Sequence, residues 1–226
     1  MAGDGDVPDR SRRDFLKQAA SAAVAVPLPP PHPTEQNYKP SFFSAAEWAF
    51  LNAACARLIP EDELGPGAVQ AGVPQFIDRQ MSTPWADGGI WYMQGPFIAA
   101  KPEFGYQSAL TPKQTYRIGI KAIDALCQAA NGKPFAALQP AQQDEMLKQI
   151  EAGTLTSPEI SLKNFFALIL KNTQEGFFGD PAYGGNKDMV GWKLIGHPGV
   201  RADYLEWVGE AKPYPYGPVS LYGKRG

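Results

Sequence analysis

The sequence has 226 residues, the size of one globular domain. Hydrophobic residues make up 44% of the chain and charged residues 19%, so the chain can bury an apolar core. The formal net charge is −2 and the body carries no basic block, which argues against nucleic-acid binding. No apolar run reaches the roughly 18 residues that a transmembrane helix needs.

The N-terminus resembles a twin-arginine export signal. The pattern S-R-R-x-F-L-K is carried by Ser11, Arg12, Arg13, Phe15, Leu16 and Lys17. A short Ala-rich apolar stretch follows over 18–28, and Ala23 and Ala25 form a small-residue cleavage pattern. We therefore expect a signal peptide over residues 1–25, recognised by the twin-arginine translocase, and a periplasmic location.

Five prolines between residues 27 and 33 predict an extended linker, which we assign to residues 26–40. The folded body is then a single domain over residues 41–226. The chain has 23 glycines and 22 prolines, and those of the body lie mostly between apolar periodic segments, which predicts helices separated by long ordered loops.

The first half of the body contains two predicted helices. Ser44 and Glu47 form a capping-box pattern that starts a helix over 44–60, and a shorter helix follows over 74–81. Residues 83–108 lack a period and predict a long loop that packs through its aromatic side chains, among them Trp85, Trp91, Tyr92 and Phe97.

The second half contains three more predicted helices and a tail. The first runs from Thr111-Pro112 to about Ala130, the second from Gln139-Pro140 to near Gly153, and the third starts at Ser157 and runs through 161–174. Residues 212–226 have neither a helix nor a strand period. The predicted fold is mainly α, a small helical domain with long ordered Gly/Pro/aromatic loops and an extended C-terminal tail.

Motifs for cofactors are absent from the sequence. There is no nucleotide-binding glycine fingerprint, no C-x-x-C-H for haem attachment and no G-x-S-x-G. Two Cys and two His cannot supply a cysteine-ligated iron–sulfur cluster or a structural zinc site. We therefore expect no cofactor and no metal in this chain.

Cys55 and Cys127 both fall on apolar helix faces. Three interpretations remain open for them: buried small hydrophobic residues, a disulfide that would close a loop of about 70 residues, or a bond from one of them to a partner chain.

The stretch GFFGDPAYGGNKDMVGWKLIGHPG (176–199) is the part of the sequence that most resembles an active site. Asp180, Asp188 and His197 are candidate acid and base groups of a periplasmic hydrolase or isomerase. The same acids also suit local roles, because Asp180 precedes Pro181 as in a turn and Asp188 precedes a short helix that it can cap.

Aromatic residues indicate a different function for the C-terminal quarter. Residues 176–226 contain 9 of the 26 aromatic residues and 11 of the 23 glycines of the chain. Aromatic side chains on glycine-shaped loops are typical anchors of protein interfaces. The predicted partner interface consists of Phe177, Phe178, Asp180, Tyr183, Asn186, Asp188, Trp192, Tyr204 and Trp207, and its predicted anchors are Phe178, Tyr183 and Trp192. A standalone periplasmic binding module is the third hypothesis.

Three stretches carry a family resemblance. The loop 176–199, RLIPEDELGPGAVQAGVPQFIDRQ (57–80) and GYQSALTPKQTYRIGIKAIDALC (105–127) resemble the subunit 3 family of gluconate 2-dehydrogenase. The likeness covers about residues 42–208, and the twin-arginine start agrees with it.

The resemblance implies a three-part, membrane-bound sugar or sugar-acid dehydrogenase. In such an enzyme a large flavoprotein of the glucose–methanol–choline type holds FAD, and a multi-haem cytochrome c subunit passes electrons to quinone at the periplasmic face of the inner membrane. The small subunit holds no redox group. It has a chaperone-like role in the folding and export of the large subunit, so the resemblance implies that this chain is not itself catalytic.

Overall fold

The computed structural model describes the folded body of the chain. The described residues are 38–91, 93–98, 101–104, 108–201, 203–212 and 214–226. The predicted export signal, the linker as far as residue 37, and Tyr92 lie outside them.

Six α-helices form the described body, and the prediction of a mainly α fold is confirmed. In chain order they are α1 (Ala45–Leu58), α2 (Val73–Gln80), α3 (Pro112–Asn131), α4 (Pro140–Ala152), α5 (Leu162–Phe178) and α6 (Val190–Ile195). Short 3₁₀ turns lie between them, and the described ranges contain isolated β-bridges but no strand. Within these ranges, no helix combines the length and the apolar character needed to span a bilayer.

The helix boundaries follow local signals at most positions. Ser44 accepts the amide of Glu47 and starts α1 with the predicted capping box, and Thr111 does the same for α3. Gly132 and Gly153 end α3 and α4 in the left-handed conformation, which glycine adopts without steric cost.

Helix α5 differs from its prediction at both ends. It begins at Leu162 because Ser161, rather than Ser157, caps it by accepting the amide of Asn164. Ser157 instead accepts the amide of Glu159 and forms a local turn. At the other end the helix continues to Phe178, so it contains the first three residues of the stretch 176–199.

The core lies where α5 packs against α1, α3 and α4. Tyr116 of α3 and Phe165 of α5 meet edge to face with ring centroids 5.5 Å apart, and Phe50 of α1 stacks on the same Phe165 at 6.5 Å. The buried Tyr116 hydroxyl accepts a hydrogen bond of 2.9 Å from Asn172 of α5, which satisfies both polar groups inside the core.

Both cysteines are free thiols buried in this core. Cys55 Sγ lies 3.7 Å from Thr173 Oγ1. Burial raises the pKa of Cys55 to about 12 and the pKa of Cys127 to about 11, so both thiols are protonated at neutral pH. Of the three interpretations, the structure agrees with buried small hydrophobic residues.

The C-terminal tail differs from the predicted extended segment. Its last nine residues fold back on the stretch 176–199: Val200 donates its amide to Val219 at 2.7 Å, and Val219 donates to Pro198 at 3.2 Å. The amide of Gly226 then bonds the carbonyl of Pro218 at 2.9 Å. The tail therefore belongs to the body of this chain.

The start of the body is held to α2 by the carboxylate of Asp78, which is fully buried. Oδ2 accepts from the hydroxyl of Tyr38 and the amide of Ser41, both at 2.7 Å, and from the Ser41 hydroxyl at 2.9 Å. Oδ1 accepts the amides of Phe42 and Phe43 at 3.0 and 3.2 Å. Five donors therefore converge on one negative charge.

These bonds set the ionisation of Asp78. Burial acts to raise its pKa, but the amide of Ser41, the hydroxyl of Tyr38 and the amides of Phe42 and Phe43 stabilise the charged form. The pKa of Asp78 lies below its usual value as a result.

We expect Asp78→Asn to lower the free energy of unfolding by about 3 kcal/mol, because a neutral amide loses charge-assisted bonds and presents an N–H to donors. Urea denaturation measures this loss. Asp87→Asn is the matched control: the exposed Asp87 carboxylate pairs with Lys113 at 2.8 Å, and such a surface pair contributes less than about 1 kcal/mol.

The pH dependence gives a second readout of the same variant. A carboxylate with a depressed folded-state pKa stabilises the fold above its unfolded-state pKa, and this stabilisation is lost as the pH falls through the folded-state pKa. The free energies of unfolding of wild type and Asp78→Asn should differ fully at neutral pH. This difference should begin to shrink below about pH 4 and be lost below the folded-state pKa. A difference that persists unchanged in acid would exclude the carboxylate charge as its source.

Candidate functional site

The loop that follows α5 is organised by the side chain of Asn186, which is fully buried. Its Nδ2 donates to the carbonyl of Gly179 at 2.9 Å, and its Oδ1 accepts the amide of Gly191 at 2.9 Å. The backbone of Asn186 is left-handed, with φ at 45°, a conformation that asparagine tolerates better than most residues. One amide side chain therefore joins the end of α5 to the start of α6.

The loop lies on the last turn of α5 at backbone distance. A Cβ on Gly185 would lie 2.2 Å from the carbonyl oxygen of Gly176, and a Cβ on Gly191 would lie 2.1 Å from that of Phe177. Any side chain at these two positions would force the loop away from the helix. Arg79 of α2 adds a third attachment by donating to the carbonyl of Gly184 at 3.0 Å.

Trp192 is buried under this loop. Its indole Nε1 donates to the carbonyl of Phe178 at 2.6 Å, and its ring meets His197 edge to face at 5.0 Å. A buried and hydrogen-bonded indole holds α6 against α5, so the prediction of Trp192 as a surface anchor needs correction.

Asp180 has both carboxylate oxygens occupied by backbone amides. Oδ1 accepts from Ala182 at 2.8 Å, which confirms the predicted turn, and Oδ2 accepts from Leu221 of the tail at 2.8 Å. Its carboxylate is buried and connects the loop to the C-terminal tail. Both oxygens are therefore engaged in structural bonds.

Asp188 does not cap α6, contrary to its predicted local role. The residue at the cap position is Met189, and the first-turn amide of Gly191 is already bonded by Asn186. Asp188 has a left-handed backbone with φ at 53° and forms an exposed ion pair with Lys224 at 3.8 Å.

The three candidate catalytic residues thus serve separate contacts. Asp180 bonds backbone amides, Asp188 pairs with Lys224, and the exposed His197 packs its ring on Trp192. Across the part of the chain that the structure describes, no group of three His, Cys, Asp or Glu residues is arranged to hold a metal ion. None of these three side chains bonds another of them, so the geometry does not support the hydrolase or isomerase hypothesis.

The predicted interface residues divide into an interior group and a surface group. Phe177, Asp180, Asn186 and Trp192 are buried and hold the loop in shape. Phe178, Tyr183 and Asp188 are exposed, and Tyr204 and Trp207 are half-buried. Burial takes the first four out of reach of a partner in this conformation, so the candidate surface is reduced to the other five residues.

Tyr204 and Trp207 belong to an aromatic cluster of the C-terminal segment. Tyr214 packs edge to face on both of them, with centroid distances of 5.9 and 5.3 Å. The guanidinium of Arg201 lies over the same Tyr214 ring at 5.3 Å. The cluster is anchored to the loop, since the hydroxyl of Tyr204 donates to Gly199 at 2.7 Å.

Sequence reasoning missed the exposed aliphatic residues at the end of α6. Leu194 and Ile195 are both exposed there, and Leu194 borders a depression of about 230 Å³ whose opposite wall contains Leu64 and Pro66. The sequence did contain a signal, the apolar pair Leu194 and Ile195 directly after Lys193. A helix of six residues cannot bury apolar side chains on all of its faces, so part of this pair has to be exposed.

We expect Asn186→Ala to lower the free energy of unfolding by about 3 kcal/mol, because it leaves the Gly179 carbonyl and the Gly191 amide unpaired in the interior. Asn186→Gly loses the same bonds but keeps the left-handed backbone free of strain, so it should be milder by about 1 kcal/mol. Urea denaturation of both variants measures the difference. Equal losses would show that backbone conformation contributes nothing at this position.

Comparison with known proteins places this architecture in a family. The family model described as gluconate 2-dehydrogenase subunit 3 matches residues 45–199, from the first residue of α1 to the end of the loop after α6. Neither a curated protein nor a solved structure matches the chain. Because the family model covers more than half of the sequence and all six helices, the chain belongs to the gluconate 2-dehydrogenase subunit 3 family.

Proposed function

We propose that this chain is the non-catalytic small subunit of a FAD-dependent gluconate 2-dehydrogenase-type sugar or sugar-acid dehydrogenase. In this role it stabilises the flavoprotein large subunit and carries it through the twin-arginine translocase to the periplasm. Membership of the subunit 3 family supports the assembly. The separate structural contacts of Asp180, Asp188 and His197 support a role outside the chemical step.

The redox groups belong to the partners in this proposal. The large subunit, of the glucose–methanol–choline type, binds FAD and oxidises the substrate, and a multi-haem cytochrome c subunit receives the electrons at the inner membrane. The two cysteines of this chain are buried, and burial raises the pKa of both thiols, which favours packing over ligation.

The observation that carries the proposal is the rigid display of Phe178 and Tyr183. Both are exposed, and Tyr183 has 58% of its surface in solvent. Phe178 is the last residue of α5, and Tyr183 lies on the following loop, which Asn186, Asp180 and Arg79 hold through hydrogen bonds of 2.8 to 3.0 Å. A preformed loop loses little conformational entropy on binding, so aromatic anchors on it can contribute most of their buried area to affinity.

Export of the flavoprotein tests the proposed role directly. When both chains are co-expressed, Arg12→Lys with Arg13→Lys should leave both in the cytoplasm, because the translocase reads the arginine pair. Immunoblots of periplasmic and cytoplasmic fractions measure the distribution. Arg10→Lys is the matched control, since Arg10 precedes the pattern, and it should leave export unchanged. Export of an active flavoprotein in the absence of this chain would refute the proposal.

Truncation of one exposed anchor tests the docking surface. We expect Tyr183→Ala to weaken association with the flavoprotein by about 2 kcal/mol, or roughly thirtyfold in Kd, because an interface anchor loses its buried ring. Titration of the purified subunits measures the affinity. Phe104→Ala is the control, because Phe104 is also exposed but lies on the loop before α3. Equal affinities for both variants would place the interface elsewhere.

A further inference from the structure

The loop after α5 and the end of the tail form one layer, which we call the terminal layer and define as residues 187–201 and 217–226. Val219 bonds both Val200 and Pro198 through the backbone, and Lys224 pairs with Asp188. A Cβ added at Gly226 would lie 3.2 Å from Lys193 Cε, so the chain end rests against α6. The two segments therefore pack side by side.

Five large apolar side chains of the terminal layer are exposed. They retain between 45% and 58% of their surface in solvent and comprise Leu194, Ile195, Val200, Leu221 and Tyr222. Scattered single apolar residues are normal on a protein surface, whereas several exposed on segments that pack side by side suit a surface that contacts something apolar.

The same layer is basic in a chain that is acidic as a whole. It contains five basic residues, Lys187, Lys193, Arg201, Lys224 and Arg225, and one acidic residue, Asp188. The whole chain has 21 basic and 23 acidic residues. Lys224 is paired with Asp188 at 3.8 Å and the half-buried Arg201 lies over Tyr214, and the exposed Lys193 and Arg225 add positive charge beside the exposed apolar residues.

We infer that the terminal layer binds the surface of an anionic lipid bilayer. Apolar side chains flanked by Lys and Arg match the two regions of that surface, since aliphatic groups enter the acyl boundary while the cations meet the phosphates. Tyr222 suits the headgroup region between them, where tyrosine is enriched.

A protein partner fits the layer less well. The cores of protein interfaces are depleted of lysine, whereas Lys193 directly precedes the exposed pair Leu194 and Ile195, and Lys224 follows close after Leu221 and Tyr222. Long lysine side chains extend their amines to water and phosphate while their stems cover apolar surface, which is the arrangement that a bilayer interface accepts. The inference does not depend on the flavoprotein, because lipid binding needs this chain alone.

Co-sedimentation of the full chain with vesicles tests the inference. Vesicles of phosphatidylcholine with about one third phosphatidylglycerol should bind the chain at least tenfold more strongly than pure phosphatidylcholine. Lys193→Glu with Arg225→Glu should reduce this binding about tenfold or more, because two attractive charges become repulsive. Leu194→Ser with Ile195→Ser should reduce it similarly by removing the inserted side chains. All four side chains are exposed, so circular dichroism should show an unchanged fold.

Two controls separate the layer from the rest of the chain. Leu205→Ser with Val208→Ser replaces two aliphatic residues that are more exposed still, at 79% and 77%, but lie outside the layer, and it should leave binding unchanged. Arg12→Gln with Arg13→Gln removes positive charge from the N-terminal segment, and this variant should still bind the vesicles.

Several outcomes would overturn the inference. One is vesicle binding that is lost only in the variant with Arg12→Gln and Arg13→Gln. Another is vesicle binding that is equally strong for wild type and for the variants of the terminal layer. A third is failure of wild type to bind vesicles while the Leu194 and Ile195 variant loses the flavoprotein, which would assign the layer to a protein interface.

Discussion

The last turn of α5 packs closely against the Phe76 ring of α2 and against the backbone of the following loop, and glycine is present at each contact. A Cβ at Gly176 would lie 2.7 Å from the Phe76 ring of α2, and one at Gly185 would lie 2.2 Å from the Gly176 carbonyl oxygen. The missing side chains let α2, α5 and the following loop share one junction. The amide of Lys187 also reaches the carbonyl of Ala71 at 3.0 Å, which attaches the loop to the segment before α2.

Buried polar groups then determine which surfaces remain available. Asp78 gathers the start of the body onto α2, while Asp180 and Asn186 hold the loop and the tail together. Each of these side chains is satisfied by backbone groups, which is how a loop-rich domain avoids unpaired polar atoms in its interior. Asp180, one of the two acids that first resemble catalytic groups, has this structural role, whereas Asp188 stays at the surface in its pair with Lys224. The exposed residues of the loop and the tail include aromatic, aliphatic and basic side chains, and such a surface suits binding.

This distribution, with polar groups buried in structural bonds and apolar and basic residues exposed, fits a subunit of a multi-subunit dehydrogenase complex. A subunit of such a complex can recognise a partner through a few exposed aromatic residues. The lipid contact that we infer for the terminal layer would be a second type of contact on the same molecule, and the layer adjoins the ring cluster around Tyr214 through Arg201 and Gly199. Both surfaces depend on the loop after α5, because Phe178 directly precedes that loop, Tyr183 lies on it and α6 follows it.

The sequence by itself determined the helices, their capped starts at Ser44 and Thr111 and their glycine ends at Gly132 and Gly153, because these signals act within one turn of the chain. It also indicated the mainly α fold and the family. Only the tertiary structure decided which of the loop residues face inward. Asn186 and Trp192 carry no local mark of burial, since their partners become available only when the loop lies on α5. The fold-back of the tail likewise depends on the bond between the Leu221 amide and the Asp180 carboxylate, two residues that are 41 positions apart in the chain. Contacts between such distant residues leave no periodic pattern in the sequence.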